Sequence, residues 1–97
     1  MKKRDLVAKH REAILALAAE HGLADVRLFG SVARGDERTD SDVDFFVRRQ
    51  PGTDPFLILS FKEKLTALLG CKVDVITEQP LMKPRLRDNI LADAIPV

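Results

Sequence analysis

A chain of 97 residues holds material for one domain, residues 1–97, with a modest single core. The charged fraction of 32% is high, but the signs cancel to a net +1, so no overall field argues for DNA or membrane binding. One cysteine, Cys71, excludes an intrachain disulfide, and with His10 and His21 as its only soft company it makes no zinc site.

The basic start, Lys2 to Arg4 with Lys9 and Arg11, opens a predicted helix over residues 3–21, with Leu6, His10, Ala13, Ile14, Leu17 and Ala18 on one stripe and Gly22 as its stop. Residues 25–29 alternate as a short strand with Val26 and Leu28 on one face. Gly30 ends it, and residues 31–34 can form one helical turn capped by Ser31. A polar loop over 35–41 leads to a second strand, 43–47, apolar on both faces and so expected at the centre of its sheet. Asp54 followed by Pro55 predicts a helix start, and Ile58, Phe61, Leu65, Leu68 and Leu69 form the buried stripe up to Gly70. A third strand over 71–77 and a last helix over 84–94 complete an α/β domain, a small mixed sheet flanked by helices.

The stretch GSVARGDERTDSDVDFFV, residues 30–47, sets two carboxylates at the head of an otherwise apolar strand. Side chains two apart on a strand share a face, which would put Asp42 and Asp44 about 7 Å apart along the chain. If the third strand pairs with the second, Asp74 stands beside Asp44 on that same face. Three adjacent carboxylates repel, and an all-oxygen donor set relieves that repulsion by taking Mg²⁺ or Mn²⁺. Gly30 allows a tight turn and Ser31 opens a helical turn whose free N–H groups suit an anion, with Arg34 near enough to meet phosphate charge. Taken singly, each part has a plainer meaning: a turn, a solvated strand entry, a polar residue on a half-exposed strand, a surface arginine. Their conjunction is what points to phosphoryl chemistry.

These residues resemble the DNA polymerase beta-like nucleotidyltransferases, whose pattern is Gly-Ser, then Asp-x-Asp, then a third carboxylate on a neighbouring strand. Gly30 and Ser31 match the first element, Asp42 and Asp44 the second, and Asp74 the third. The finer form, GSVARG followed by SDVDFFV, is similar to the minimal nucleotidyltransferases, small partners of HEPN-domain proteins. The resemblance implies the polymerase beta-like fold and transfer of AMP from ATP, with two Mg²⁺ ions, to a hydroxyl, a tyrosine of a HEPN ribonuclease toxin that the protein thereby silences as its antitoxin. It implies that Asp42, Asp44 and Asp74 hold metal, that Asp74 takes the acceptor proton, and that Gly30 and Ser31 hold the triphosphate tail; Arg34, by its own charge, is the further nucleotide-binding candidate, to neutralise phosphate or orient the acceptor. The chain lacks Tyr and Trp for base stacking, and Phe46 is the apolar neighbour on the carboxylate side of its strand.

Two other readings stand beside this one. The protein could inhibit the toxin by stoichiometric binding, with Leu81, Met82 and Leu86 as a contact surface, although packing against the domain's own core is the expected fate of these residues. It could instead modify a small molecule with a partner subunit, using Asp36, Glu37 and Asp40 as an acidic pocket. No direct nucleic-acid contact is expected, and the acceptor arrives on another molecule or across a homo- or hetero-oligomer interface. The longest apolar run, Ala13 to Ala19, is too short to cross a bilayer, and with a lone cysteine and no signal-type core after the basic start the expected location is the cytoplasm.

Overall fold

The computed structural model describes residues 2–97. Along the chain run α1 (Lys3–Lys9), α2 (Arg11–Glu20), β1 (Leu23–Phe29), α3 (Gly30–Arg34), β2 (Val43–Arg49), α4 (Leu57–Leu69), β3 (Val73–Glu78), α5 (Pro84–Asp93) and β4 (Ile95–Pro96). The sheet is mixed, in the order β3-β2-β1-β4: β2 and β3 run parallel, and β1 is antiparallel to both β2 and β4. The apolar second strand therefore lies inside the sheet, as its two-sided pattern predicts.

On one face of β2, Val43, Phe45 and Val47 meet Ile14 and Ala18 of α2 and Phe61, Leu65 and Leu69 of α4, and all are buried. Within this layer His21 is the buried polar side chain. Its Nδ1–H donates to the Leu17 carbonyl at 2.8 Å, which leaves Nε2 to accept from Ser60 Oγ at 3.3 Å and Lys64 Nζ at 3.2 Å, so the imidazole ties α2 to α4. The other face of β2 carries Asp44 and Phe46. Phe46 is fully buried, edge-on to Phe29 with ring centres 6.2 Å apart, and the Arg27 guanidinium lies 4.6 Å from its ring centre. Core packing is thus the role of Phe46. Helix α5 packs on β1 and α3 at this face and buries Ile90.

The predicted elements need five corrections. The first helix is broken at His10, whose Nδ1 lies 3.0 Å from the Leu6 carbonyl that its own backbone N–H also uses, so side chain and ladder compete for one acceptor. Ser31 does not cap α3, because helical backbone already begins at Gly30 and no side-chain cap bond forms there. Asp54 closes a turn by accepting from the Phe56 N–H at 2.9 Å, and regular helix starts only at Leu57. Strand β1 begins at Leu23 and passes an irregularity between Ala24 and Arg27, where Asp25 adopts a φ of 51°. Finally, Ile95 and Pro96 add an unpredicted edge strand against Leu28 and Arg27, a place where a proline costs no ladder bond.

Candidate active site

Strands β2 and β3 pair with Asp44 directly opposite Asp74, in a register running from Val43↔Val73 to Arg48↔Glu78. Residues opposed in a parallel pair face the same way, on strands about 4.8 Å apart. The two carboxylates therefore share the sheet face that also carries Phe46. Asp42 lies one residue before the strand, exposed at the end of the loop, near enough for its charge to act on Asp44.

The position of Asp44 between elements raises its carboxyl to about 6 from an ordinary 3.8. Burial is the largest cause, the charges of Asp74 and Asp42 add to it, and the Arg34 guanidinium opposes it. The electrostatic coupling among positions 42, 44 and 74 is thus present in the fold, yet the side chains do not close into a shell: among the described residues no three His, Cys, Asp or Glu side chains form a group that could hold a metal ion. Asp74 is instead turned to its own chain and the helical layer. Its Oδ1 accepts from the Val75 N–H at 3.0 Å, and the Lys62 ammonium of α4 stands 4.0 Å away.

Gly30 stands against this group. Its φ is +75°, a left-handed conformation, and a Cβ there would collide with Asp44 Oδ2. Strand β1 thus turns into α3 with its backbone pressed against the Asp44 carboxylate, and only glycine satisfies both the torsion and the space. Ser31 follows as the second residue of α3, and its carbonyl accepts the N–H groups of Gly35 and Asp36 at 3.0 and 3.1 Å.

Arg34 is already engaged. Its Nη1 donates to Asp93 of α5 at 2.8 Å and its Nε to Asp36 at 3.2 Å, which pins α5 over the turn. Toward its beginning α5 is held again: Arg87 Nε donates to Glu78 at 2.6 Å, and Glu78 also accepts from Arg27 at 2.9 Å. The hydrogen bonds from Arg27 and then Arg87 hold the Glu78 carboxyl below its usual range. The Cys71 thiol is pushed up, chiefly by burial, and so stays protonated rather than acting as a nucleophile.

Two sequence expectations about this region change. Leu81 is 96% exposed and Leu86 47% exposed, so neither packs against the core as expected; Leu81 and Met82 line an open groove of about 460 Å³ along the free edge of β3. Asp36, far from forming an acidic pocket, is paired with Arg34. Sequence reasoning also missed that Lys3, through Glu37 and Ser41, joins α1 to the loop carrying Asp42.

The model of the nucleotidyltransferase domain family matches residues 7–97. A curated relative, the protein adenylyltransferase MntA of Thermococcus cleftensis, is 31% identical over 79 residues, covering 81% of this chain and 79% of its own. A solved structure provisionally described as a minimal nucleotidyltransferase superposes with a TM-score of 0.85 at 45% identity, covering 100% of this chain and 97% of its own. Two toxin–antitoxin complexes share the fold at lower identity. One, with AMP-PNP, gives a TM-score of 0.72 at 22% identity, covering 88% of this chain and 69% of the other. The second, a tri-AMPylated HEPN toxin of Shewanella oneidensis with its MNT antitoxin, gives 0.67 at 19% identity, covering 92% and 69%. From the paired acidic strands, the glycine turn set against them and these likenesses together, the chain belongs to the nucleotidyltransferase family, within its minimal nucleotidyltransferase branch.

Proposed function

We propose that the protein is an antitoxin enzyme that transfers AMP from ATP to a tyrosine hydroxyl of a HEPN-domain toxin, with Mg²⁺ bound by Asp42, Asp44 and Asp74. The observation that carries this is the placement of Asp44 opposite Asp74, with the Gly30 backbone pressed against the Asp44 carboxylate. The adenylyltransferase name of a relative and the AMPylated HEPN toxin in a similar complex support the acceptor class. The AMP-PNP complex supports the nucleotide.

By donor type the residues suit a hard divalent cation, an all-oxygen set in which one carboxyl is held near 6 by burial and its neighbours' charges, and the Asp42 and Asp74 side chains would have to close on the ion as it binds. A cation bound there would neutralise the triphosphate and lower the pKa of the acceptor hydroxyl. In this reading Asp42 and Asp44 hold the metal, with the Asp44 side chain placed by Gly30. The backbone at Gly30 and Ser31 receives the outer phosphates. Arg34, released from Asp36 or Asp93, meets their charge. The acceptor oxygen attacks the α-phosphorus, the bond to the β-phosphate oxygen breaks, pyrophosphate leaves, and Asp74 takes the hydroxyl proton. Its half-exposed position on an edge strand leaves room for a protein-borne hydroxyl to arrive.

ATP labelled on the α-phosphate, incubated with this protein and a HEPN-domain partner, is expected to label the partner. Asp44→Asn keeps side-chain size, removes the charge, and should lower transfer by about a thousandfold, on the scale of losing a principal charge-stabilising group, while the unfolding midpoint holds or rises. Undiminished transfer in that variant would remove the assignment. The exposed Leu81 favours a second reading, inhibition by binding alone, and rescue from toxicity by Asp42→Ala with Asp44→Ala would select it.

A further inference from the structure

The loop that delivers Asp42 is held from outside the acidic group. Lys3, the first residue of α1, aims its ammonium at three loop carbonyls: Thr39 at 3.1 Å, Arg38 at 3.5 Å, and Ser41. Its backbone N–H meets both oxygens of Glu37, at 3.2 and 3.3 Å. An ammonium has three donors and no acceptor, so three carbonyls use its whole capacity. The loop also closes on itself, with the Arg38 N–H donating to Ser41 Oγ at 2.7 Å and the Ser41 N–H to the Arg38 carbonyl at 3.0 Å. The next residue, Arg4, reaches the Ala33 carbonyl of α3 at 3.5 Å. One helical turn of α1 therefore touches both halves of the site, the turn after Gly30 and the loop before Asp42.

We propose that Lys3 is a positioning residue for the cation site. By fixing the carbonyls of residues 38, 39 and 41 it sets where the next side chain, Asp42, stands relative to Asp44, and so sets the affinity of the acidic group for a divalent ion. The inference rests on the reading of Asp42 and Asp44 as cation ligands. Asp42 is exposed and lies just outside the strand; the Val43 N–H, donating to the Lys72 carbonyl at 2.9 Å, holds the backbone after it, and the bonds of the loop hold the backbone before it. A loop ordered before the ion arrives leaves less ordering cost to be met on binding, which is how outer contacts raise metal affinity.

Lys3→Met keeps the aliphatic stem and removes the charge and all three side-chain donors. Mn²⁺ binding to the whole chain is followed by electron paramagnetic resonance, and amide exchange over residues 36–42 is measured without metal. Exchange across the loop should rise and Mn²⁺ should bind about tenfold more weakly, as for other outer-contact changes. The urea midpoint in EDTA should stay near wild type, and Lys3→Arg should recover part of the affinity. Wild-type Mn²⁺ affinity in Lys3→Met overturns the proposal. So does a fall in affinity matched by an equal loss of global stability, because the residue would then be a fold staple only. Lys3→Gln serves in the same way should the methionine variant unfold. Wild-type protein that takes up no Mn²⁺ would overturn the cation reading itself, and loop exchange in Lys3→Met against wild type would then decide whether Lys3 orders the loop.

Discussion

The central strand and the edge strand carry the same residue at the same register, and the fold treats the two differently. Asp44 on β2 has strands on both sides and the Gly30 backbone against its carboxylate; Asp74 on β3 has one neighbouring strand and a side chain half open to solvent. One carboxyl is raised to about 6 by burial and by like charges, while the other keeps its own Val75 N–H and the Lys62 ammonium for company. The lesson is that chemistry here follows position in the sheet as much as residue type. On the proposed function, the enclosed carboxylate would hold the ion and the open one would meet the substrate.

The largest expected difference is between the residues two further along, since Phe46 and Ile76 are also register partners. Phe46→Ala empties a fully buried site and should cost about 3–4 kcal/mol, whereas Ile76→Ala at the half-exposed edge should cost about 1 kcal/mol. Equal costs in urea unfolding would mean that the edge strand is covered in solution. Gly30→Ala should cost about 1–2 kcal/mol for its left-handed backbone, and should also displace the Asp44 carboxylate and weaken Mn²⁺ binding. Gly35→Ala is the control: its φ of 81° imposes the same backbone cost, but a Cβ there meets nothing within 4 Å, so metal affinity should hold.

The smallest effect is the pH dependence. The folded chain holds the Asp44 proton more tightly than the unfolded chain does, so proton loss between an ordinary 3.8 and about 6 works against the native state. In EDTA, stability referenced to Asp44→Asn should therefore fall by on the order of 1 kcal/mol as pH rises through that window, after allowance for solvent screening. Asp74→Asn should shrink the fall, and Mg²⁺ should reverse it by binding the ionised form. A rise across the same window without metal would mean that Asp44 is not enclosed as described.

The stretch over residues 30–47 was legible because its physics is local. Alternation on β2 fixes which side chains face the core, and a glycine just before a short helical turn marks where the backbone can take a conformation closed to other residues. The stripe of α4 was legible for the same reason, since Phe61, Leu65 and Leu69 repeat at helical spacing and are buried. What escaped depends on partners distant in sequence. The break at His10 comes from a side chain drawing on its own ladder, and the pairing of Ile95 with Leu28 gives two residues too few to show a period. Arg34 carries no sign in sequence that Asp93 will meet it, and Lys3 carries none that its ammonium will serve a loop more than thirty residues on. Leu81 looked like core because it is apolar, but it stands 96% exposed in the turn between β3 and α5, beside the open groove along the edge of β3.

The parallel pairing of β2 with β3 carries a consequence for how the molecule is made. Parallel neighbours need a crossover, and here α4 supplies it, so residues 44 and 74 can meet only after the helix between them has docked. No hairpin or shorter piece of the chain can hold half of the acidic pair in working order. On the proposed function, a nascent chain is expected to gain competence toward nucleotide only once the whole β2–α4–β3 unit has closed.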